Sequence, residues 1–123
     1  MLKRNQRTVG SRYEQEAAAF LYQKGLVVVE KNYRCRAGEI DLIARDGETL
    51  VFCEVKYRYN GGAGDPAAAV DYHKQQTIFR VAQWYLQQRY LPEDTPCRFD
   101  VVAITGVRED LQIRWIPDAF GSW

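Results

Sequence analysis

Cysteine is scarce in this chain, and its spacing excludes two classes of protein. Only Cys35, Cys53 and Cys97 occur, an odd number of residues that lie far apart. They provide neither the disulfide framework of a small secreted domain nor a Cys-x-x-Cys metal clip. We therefore expect reduced thiols in a cytoplasmic protein, with Cys53 filling space in the core.

Long hydrophobic runs are absent as well. The longest covers six residues, Ala17 to Tyr22, whereas a membrane-spanning helix needs about 20. No apolar segment follows Lys3 and Arg4, as it would in a signal peptide. The 123 residues are 46% hydrophobic and 27% charged, a composition that predicts one globular domain over residues 1–123 with no membrane partner.

Acidic residues are missing before Glu14, and the start of the chain is basic. Residues 1–36 carry 8 Lys or Arg against 3 acids, and the remainder carries 9 against 13. Residues 1–10 are expected to form a flexible basic arm, and Arg12 is a weak candidate for contacting a phosphate backbone. Because the remainder is acidic, nucleic acid should bind locally and not across a whole face.

Hydrophobic periodicity predicts seven elements in the order α-β-β-β-α-β-β. The first helix is expected over residues 11–24, and the second from an Asp65-Pro66 cap to about Tyr90. The expected strands are Leu26–Tyr33, Glu39–Arg45, Leu50–Tyr57, Arg98–Thr105 and Leu111–Ile116. This order predicts an α/β sandwich, in which helices flank one mixed sheet. The tail from Pro117 is expected to pack back on the body.

Charged residues stand on two strands that are otherwise apolar. Glu54 and Lys56 are two residues apart, so they share one face of a strand at about 6 to 7 Å. Asp41 lies on the preceding strand. A two- or four-residue turn around Gly47 would place Asp41 opposite Glu54, with Cβ atoms about 4.5 to 5.5 Å apart. A three-residue turn would send them to opposite faces.

Paired carboxylates have two interpretations here. They repel by up to about 4 kcal/mol at 4 Å and an effective dielectric of 20, and a divalent cation such as Mg²⁺ would offset that repulsion. In the other interpretation, Lys56 neutralises the two carboxylates, and the three side chains form a surface charge ladder across the hairpin without a metal. Glu14 lies about 45° from the centre of the apolar stripe of the first helix, so it can lean over the sheet. Lys74, on the inward side of the second helix, can reach a phosphate.

Taken together, these residues resemble a known pattern. An acid on the first helix, Asp41 one strand later and Glu54-Val55-Lys56 on the next strand resemble the PD-(D/E)xK nuclease superfamily, especially its resolvase-like members. Four segments are similar to the YraN family of uncharacterised bacterial proteins: Gly38–Ala44, Val51–Arg58, Arg98–Val102 and Ala119-Phe120. The similarity extends over most of the chain, from about Gly10 to Phe120. Ile40 replaces the proline of the superfamily name, which is not a metal ligand.

The resemblance implies a restriction endonuclease-like αβββαβ core and a metal-dependent endonuclease. Such an enzyme would hydrolyse phosphodiester bonds of DNA, with branched or structured DNA among the candidate substrates. Asp41 and Glu54 would bind Mg²⁺ or Mn²⁺, helped by the backbone carbonyl of Val55 and by Glu14 as an outer ligand. Lys56 would orient or deprotonate the attacking water.

Nucleic acid is the partner that this interpretation predicts. Arg58, on the same face as Lys56, would meet a phosphate, as would Lys74. The alternative is a non-catalytic module on the same fold that binds nucleic acid or another protein. Enzymes that cut junctions need two sites, so a homodimer stays open, although no heptad pattern indicates one.

Overall fold

The computed structural model describes the backbone of residues 2–58 and 70–121, and the side chains of residues 12–58, 70–107 and 109–121. Within these residues it contains two α-helices, α1 (Leu2–Gln23) and α2 (Tyr72–Gln88), and a short 3-10 helix (Arg108–Asp110). The five strands are β1 (Val27–Cys35), β2 (Gly38–Asp46), β3 (Thr49–Arg58), β4 (Cys97–Thr105) and β5 (Gln112–Phe120). None of the described helices combines the length and the apolarity needed to cross a membrane.

The strands form one sheet in the order β1-β2-β3-β4-β5. Neighbouring strands are antiparallel except β3 and β4, which are parallel. A parallel pair needs a long crossover connection, and here the crossover contains α2. The mixed sheet flanked by helices that the sequence predicts is therefore confirmed.

Each helix covers one face of the sheet. Ala17 and Leu21 of α1 are buried with Leu42 and Cys53 of β2 and β3, so Cys53 is a core residue as expected. On the other face, α2 packs in a second cluster with β2, β3 and β4, to which Phe120 of the tail also belongs. Aliphatic and aromatic side chains thus hold the sheet between two helices, which fixes the position of α1 and α2 relative to β2 and β3.

Both helix starts differ from the sequence prediction. The predicted start of the first helix at Ser11 is wrong, because α1 begins at Leu2 and includes residues 2–10 of the basic segment. Lys, Arg and Gln in that segment are good helix formers, and nothing in it stops a helix outright. The predicted Asp65-Pro66 cap lies outside the described residues. Helix α2 begins at Tyr72, and the side chain of Asp71 caps it by accepting a hydrogen bond from the Lys74 amide.

The ends of the elements are closer to expectation. Gly25, at φ +96°, ends α1, with the Gly25 amide bonded to the Tyr22 carbonyl and the Leu26 amide to the Leu21 carbonyl. This is the Schellman pattern that a glycine after a helix predicts. Strand β5 continues to Phe120, beyond the predicted end at Ile116, because its ladder with β4 resumes at Phe99 after an irregularity.

A buried carboxylate joins β4 to β5. Asp100 is 0% exposed and accepts hydrogen bonds from Arg98 Nε (3.1 Å), Trp115 Nε1 (2.9 Å) and the Asp118 amide (2.9 Å). Arg98 also bonds Asp46 at 2.9 Å. A buried charge is tolerated only when it is paired and hydrogen-bonded in this way. Asp100 is therefore a structural residue of the β4–β5 edge.

Candidate active site

The β2–β3 turn decides which acids meet. Asp46 pairs with Thr49, so the turn contains only Gly47 and Glu48, and Gly47 has the positive φ of +62° that such turns favour. The same register puts Leu42 opposite Cys53. One step further along this register, Asp41 comes opposite Glu54, which is the outcome predicted for a two-residue turn.

The β2–β3 ladder ends at that step. Its last pair is Leu42 and Cys53, although β2 extends back to Gly38 and β3 on to Arg58. We call this separation of the strands the fork. Beyond it, the Val55 amide donates a hydrogen bond of 2.8 Å to the Asp41 carboxylate instead of to a strand carbonyl. Asp41 is thereby fixed in the gap between the two strands.

Glu54 is a buried carboxylate with two lysines beside it. Its side chain is 5% exposed, and its Oε2 lies 3.5 Å from Lys56 Nζ and 3.6 Å from Lys74 Nζ. The two ammonium groups come from different elements, β3 and the first turn of α2. The structure therefore brings together Glu54 and both lysines that the sequence singles out, on the α2 face of the sheet.

Two more acids approach Asp41 from the other side. Glu14, Glu39 and Asp41 each offer an oxygen atom, and these three atoms lie within 4.8 Å of one another. Glu14 comes from α1, where its predicted inward lean agrees with its position. Arg34 holds Glu39 by an ion pair of 2.9 Å. We refer to Glu14, Glu39, Asp41 and Glu54 as the acidic cluster.

Helix α1 is held in register by an aromatic contact next to Glu14. The rings of Tyr13 and Tyr57 stack at 3.9 Å with an interplanar angle of 14°. The Tyr57 hydroxyl donates a hydrogen bond of 2.7 Å to the carbonyl of Gly106. Since Tyr13 directly precedes Glu14, this stack fixes the turn of α1 that presents Glu14 to the sheet.

Crowding of the carboxylates changes their titration. Burial, together with the charge and the hydrogen bond of Glu54, raises the pKa of Asp41 to about 8. The Val55 amide opposes that rise, and Glu14 adds to it. Burial also raises the pKa of Glu14, and the nearby charges of Glu39 and Glu54 contribute to it. In the metal-free protein, part of the cluster therefore keeps a proton at neutral pH.

Glu39 was not among the sequence-predicted site residues, although a signal was present. It is two residues before Asp41, and alternate residues of a strand share a face. The remaining predicted residues stay apart. Arg12 and Arg58 are exposed, and neither forms an ion pair with the acidic cluster within the described side chains. Val55 contacts the site through its amide, and the role of its carbonyl as a ligand stays a prediction.

Comparison with known proteins identifies a family. The model of the uncharacterised protein family UPF0102 matches residues 13–104. The chain belongs to family UPF0102. A UPF0102 protein of Nitrosomonas eutropha is 50% identical over 111 residues, which cover 90% of this chain and 91% of the relative. One from Pectobacterium carotovorum subsp. carotovorum is 49% identical over 119 residues, covering 96% and 98%.

A third relative is similar over nearly the whole chain. A UPF0102 protein of Lachnoclostridium phytofermentans is 45% identical over 119 residues, covering 96% of this chain and 99% of the relative. The resemblance to the YraN family is confirmed by these matches. The matched region of UPF0102 contains the whole acidic cluster with Lys56 and Lys74. The family description names no activity, so function has to be argued from the site.

Proposed function

We propose that this UPF0102 protein is a metal-dependent nuclease that hydrolyses phosphodiester bonds of DNA. The observation that supports the proposal is the arrangement at the fork, where buried Glu54 lies 3.5 and 3.6 Å from the ammonium groups of Lys56 and Lys74 and is hydrogen-bonded to the half-buried Asp41. Carboxylates alone repel a phosphodiester, and lysines alone only bind it. Both together provide a cation site and two positive charges at one place, as phosphoryl transfer requires.

The donor set suits Mg²⁺ or Mn²⁺. These hard cations prefer oxygen ligands, mostly carboxylates and water, and Glu14, Glu39 and Asp41 offer three oxygen atoms within 4.8 Å. Burial, and after it the charge of Glu54, raises the pKa of Asp41 to about 8, and a bound cation would favour the ionised form of this carboxyl group. We place Asp41, Glu14 and Glu39 around the ion, with Glu54 completing the site. When bound, the ion would polarise the scissile phosphate and lower the pKa of a water molecule.

The protein's own groups have separate tasks in this proposal. The Val55 amide orients the Asp41 carboxylate at 2.8 Å. The ammonium groups of Lys56 and Lys74 lie 3.5 and 3.6 Å from Glu54, longer than a good hydrogen bond. Both are partly exposed, so they can turn toward a phosphate. Lys56 orients the attacking water, and Lys74 contacts an oxygen of the phosphate.

Cleavage assays with matched variants test the proposal. End-labelled single-stranded, duplex, flap and four-way-junction DNA, and RNA, are incubated with Mg²⁺ or Mn²⁺. We expect Asp41→Asn and Glu54→Gln to abolish cleavage, and Lys56→Ala to lower kcat more than it raises KM. The controls are Glu16→Gln and Lys31→Ala, which remove exposed charges of the same types outside the acidic cluster.

The outcome separates two functions. Cleavage that survives in all three site variants would assign the activity to another protein in the preparation or to another site. Wild-type protein that binds DNA without cutting it under any metal condition would favour the non-catalytic binding module. Cleavage that is lost in the site variants and kept in both controls supports the nuclease.

A further inference from the structure

A pocket on the α2 side of the molecule lies outside the proposed active site. It has a volume of about 380 Å³ and is lined by Cys35, Arg36, Ala37, Arg80 and Trp84. Trp84 is 46% exposed, which is unusual for the largest aromatic side chain. Neither arginine forms an ion pair with any side chain in the described part of the chain. We call this the Arg-Trp pocket.

The Arg-Trp pocket is connected to the acidic cluster by α2 and by the β1–β2 hairpin. Arg36 lies in the hairpin turn, two residues before Gly38, where an added Cβ would stand 2.6 Å from Thr77 Cγ2 of α2. This end of the hairpin is therefore packed on the helix. With a helix rise of 1.5 Å per residue, Arg80 and Trp84 lie about 9 and 15 Å along α2 from Lys74. The pocket and the Glu54 site are thus within reach of one extended strand of a few nucleotides.

We infer that the Arg-Trp pocket binds an unpaired nucleotide of the substrate. The base stacks on the Trp84 indole, and the guanidinium groups of Arg36 and Arg80 bind the flanking phosphates. Stacking on an aromatic side chain requires a base that has left its duplex, and guanidinium groups match the geometry of phosphate. This inference rests on the proposed nuclease function and deepens it, because it names nucleic acid with a single-stranded segment as the substrate class.

Binding measured without cleavage tests the inference. Fluorescence anisotropy of labelled oligo-dT, oligo-U and a blunt duplex is recorded in EDTA at constant salt. Wild-type protein should prefer the single strands to the duplex. Trp84→Ala should weaken single-strand binding by roughly 5- to 150-fold and leave duplex binding unchanged. The double variant Arg36→Gln/Arg80→Gln should lower the slope of log affinity against log salt concentration.

Controls remove similar side chains elsewhere. Tyr22→Ala deletes an aromatic residue of α1 that is 75% exposed, and Arg114→Gln removes an exposed arginine of the edge strand β5. Neither should change binding. Trp84 is 46% exposed, so more than half of it is covered, and the melting temperature of Trp84→Ala is measured in the same preparation to show that the variant is folded.

Several results would overturn the inference. One is equal binding of single strand and duplex by the wild type, and another is unchanged single-strand binding by Trp84→Ala. A third is competition by free thymidine monophosphate that is as strong as competition by oligo-dT, because the ligand would then be a free nucleotide. A preference for oligo-U over oligo-dT would still support the pocket's ligand and would contradict DNA as the substrate. All these readouts are independent of cleavage. Trp84-dependent single-strand binding without cleavage would therefore contradict the proposed nuclease and support the pocket's ligand.

Discussion

Replacing Asp41 by asparagine should stabilise the metal-free protein at alkaline pH. In the wild type, burial and Glu54 raise the pKa of Asp41 from 3.8 to about 8, so the folded state holds a proton that the unfolded chain has released. The stability linked to this proton is complete below about pH 4 and is lost as the pH rises through about 8. The asparagine side chain cannot ionise. Its oxygen can still accept from the Val55 amide, and its nitrogen can donate to Glu54.

The magnitude follows from the size of the pKa shift, to which burial contributes most and the charge of Glu54 next. One pKa unit corresponds to about 1.4 kcal/mol, and two carboxylates at about 4 Å repel by up to about 4 kcal/mol at an effective dielectric of 20. We therefore expect the free energy of unfolding of Asp41→Asn, relative to wild type, to increase by on the order of 2–4 kcal/mol between about pH 5 and 8.5.

Urea unfolding in EDTA at about pH 5, 7 and 8.5 measures this difference. Glu48→Gln is the control, because Glu48 is an exposed acid of the β2–β3 turn. The free energy of unfolding of this variant should change with pH as that of the wild type does. If the free energy of unfolding changes with pH in parallel in the wild type and in Asp41→Asn, the reasoning is refuted. That result would mean that Asp41 and Glu54 do not compete for a proton in the folded state.

Three further predictions concern the metal and the scaffold. Mn²⁺ at 100 times its dissociation constant should stabilise the wild type by about 2.7 kcal/mol in thermal unfolding, and equal stabilisation of Asp41→Asn would contradict the ligand assignment. Asp100→Ala should lower the free energy of unfolding by about 2–4 kcal/mol in urea, because it removes the buried acceptor of the hydrogen bonds from Arg98, Trp115 and the Asp118 amide; a loss below about 1 kcal/mol would contradict the structural role. Gly38→Ala should cost about 1–3 kcal/mol, because its Cβ would stand 2.6 Å from Thr77 Cγ2. Gly121→Ala, with open space around its Cβ, is the control, and equal stability of the two variants would contradict the close packing.

The sequence predicts the site residues better than the shape of the site. Strand alternation and the Asp-Gly-Glu turn are local, so the meeting of Asp41 and Glu54 follows once the turn length is known. The fork does not follow from local pattern, because strands β2 and β3 both continue past it. Glu39 reaches Asp41 and Glu14 only through this separation and the placement of α1. That placement depends on a contact distant in sequence, the stack of Tyr13 on Tyr57.

The helix starts show where local signals compete. Asp65 and Asp71 are both good N-caps by residue type, and Pro66 after Asp65 makes the earlier position the stronger local signal. The structure starts α2 after Asp71, which places Lys74 in its first turn beside Glu54. For α1, no residue before Ser11 is a helix breaker as strong as proline, so composition alone does not locate its first residue.

The most direct test of the account is cleavage of one end-labelled substrate panel by wild type and Glu54→Ala, each with Mn²⁺ and with EDTA. The account predicts cutting by the wild type with Mn²⁺ alone, and none by Glu54→Ala, while both proteins bind single-stranded DNA in EDTA. Equal cutting by the two proteins, or cutting that continues in EDTA, would contradict the assignment of phosphodiester hydrolysis to the acidic cluster and its lysines.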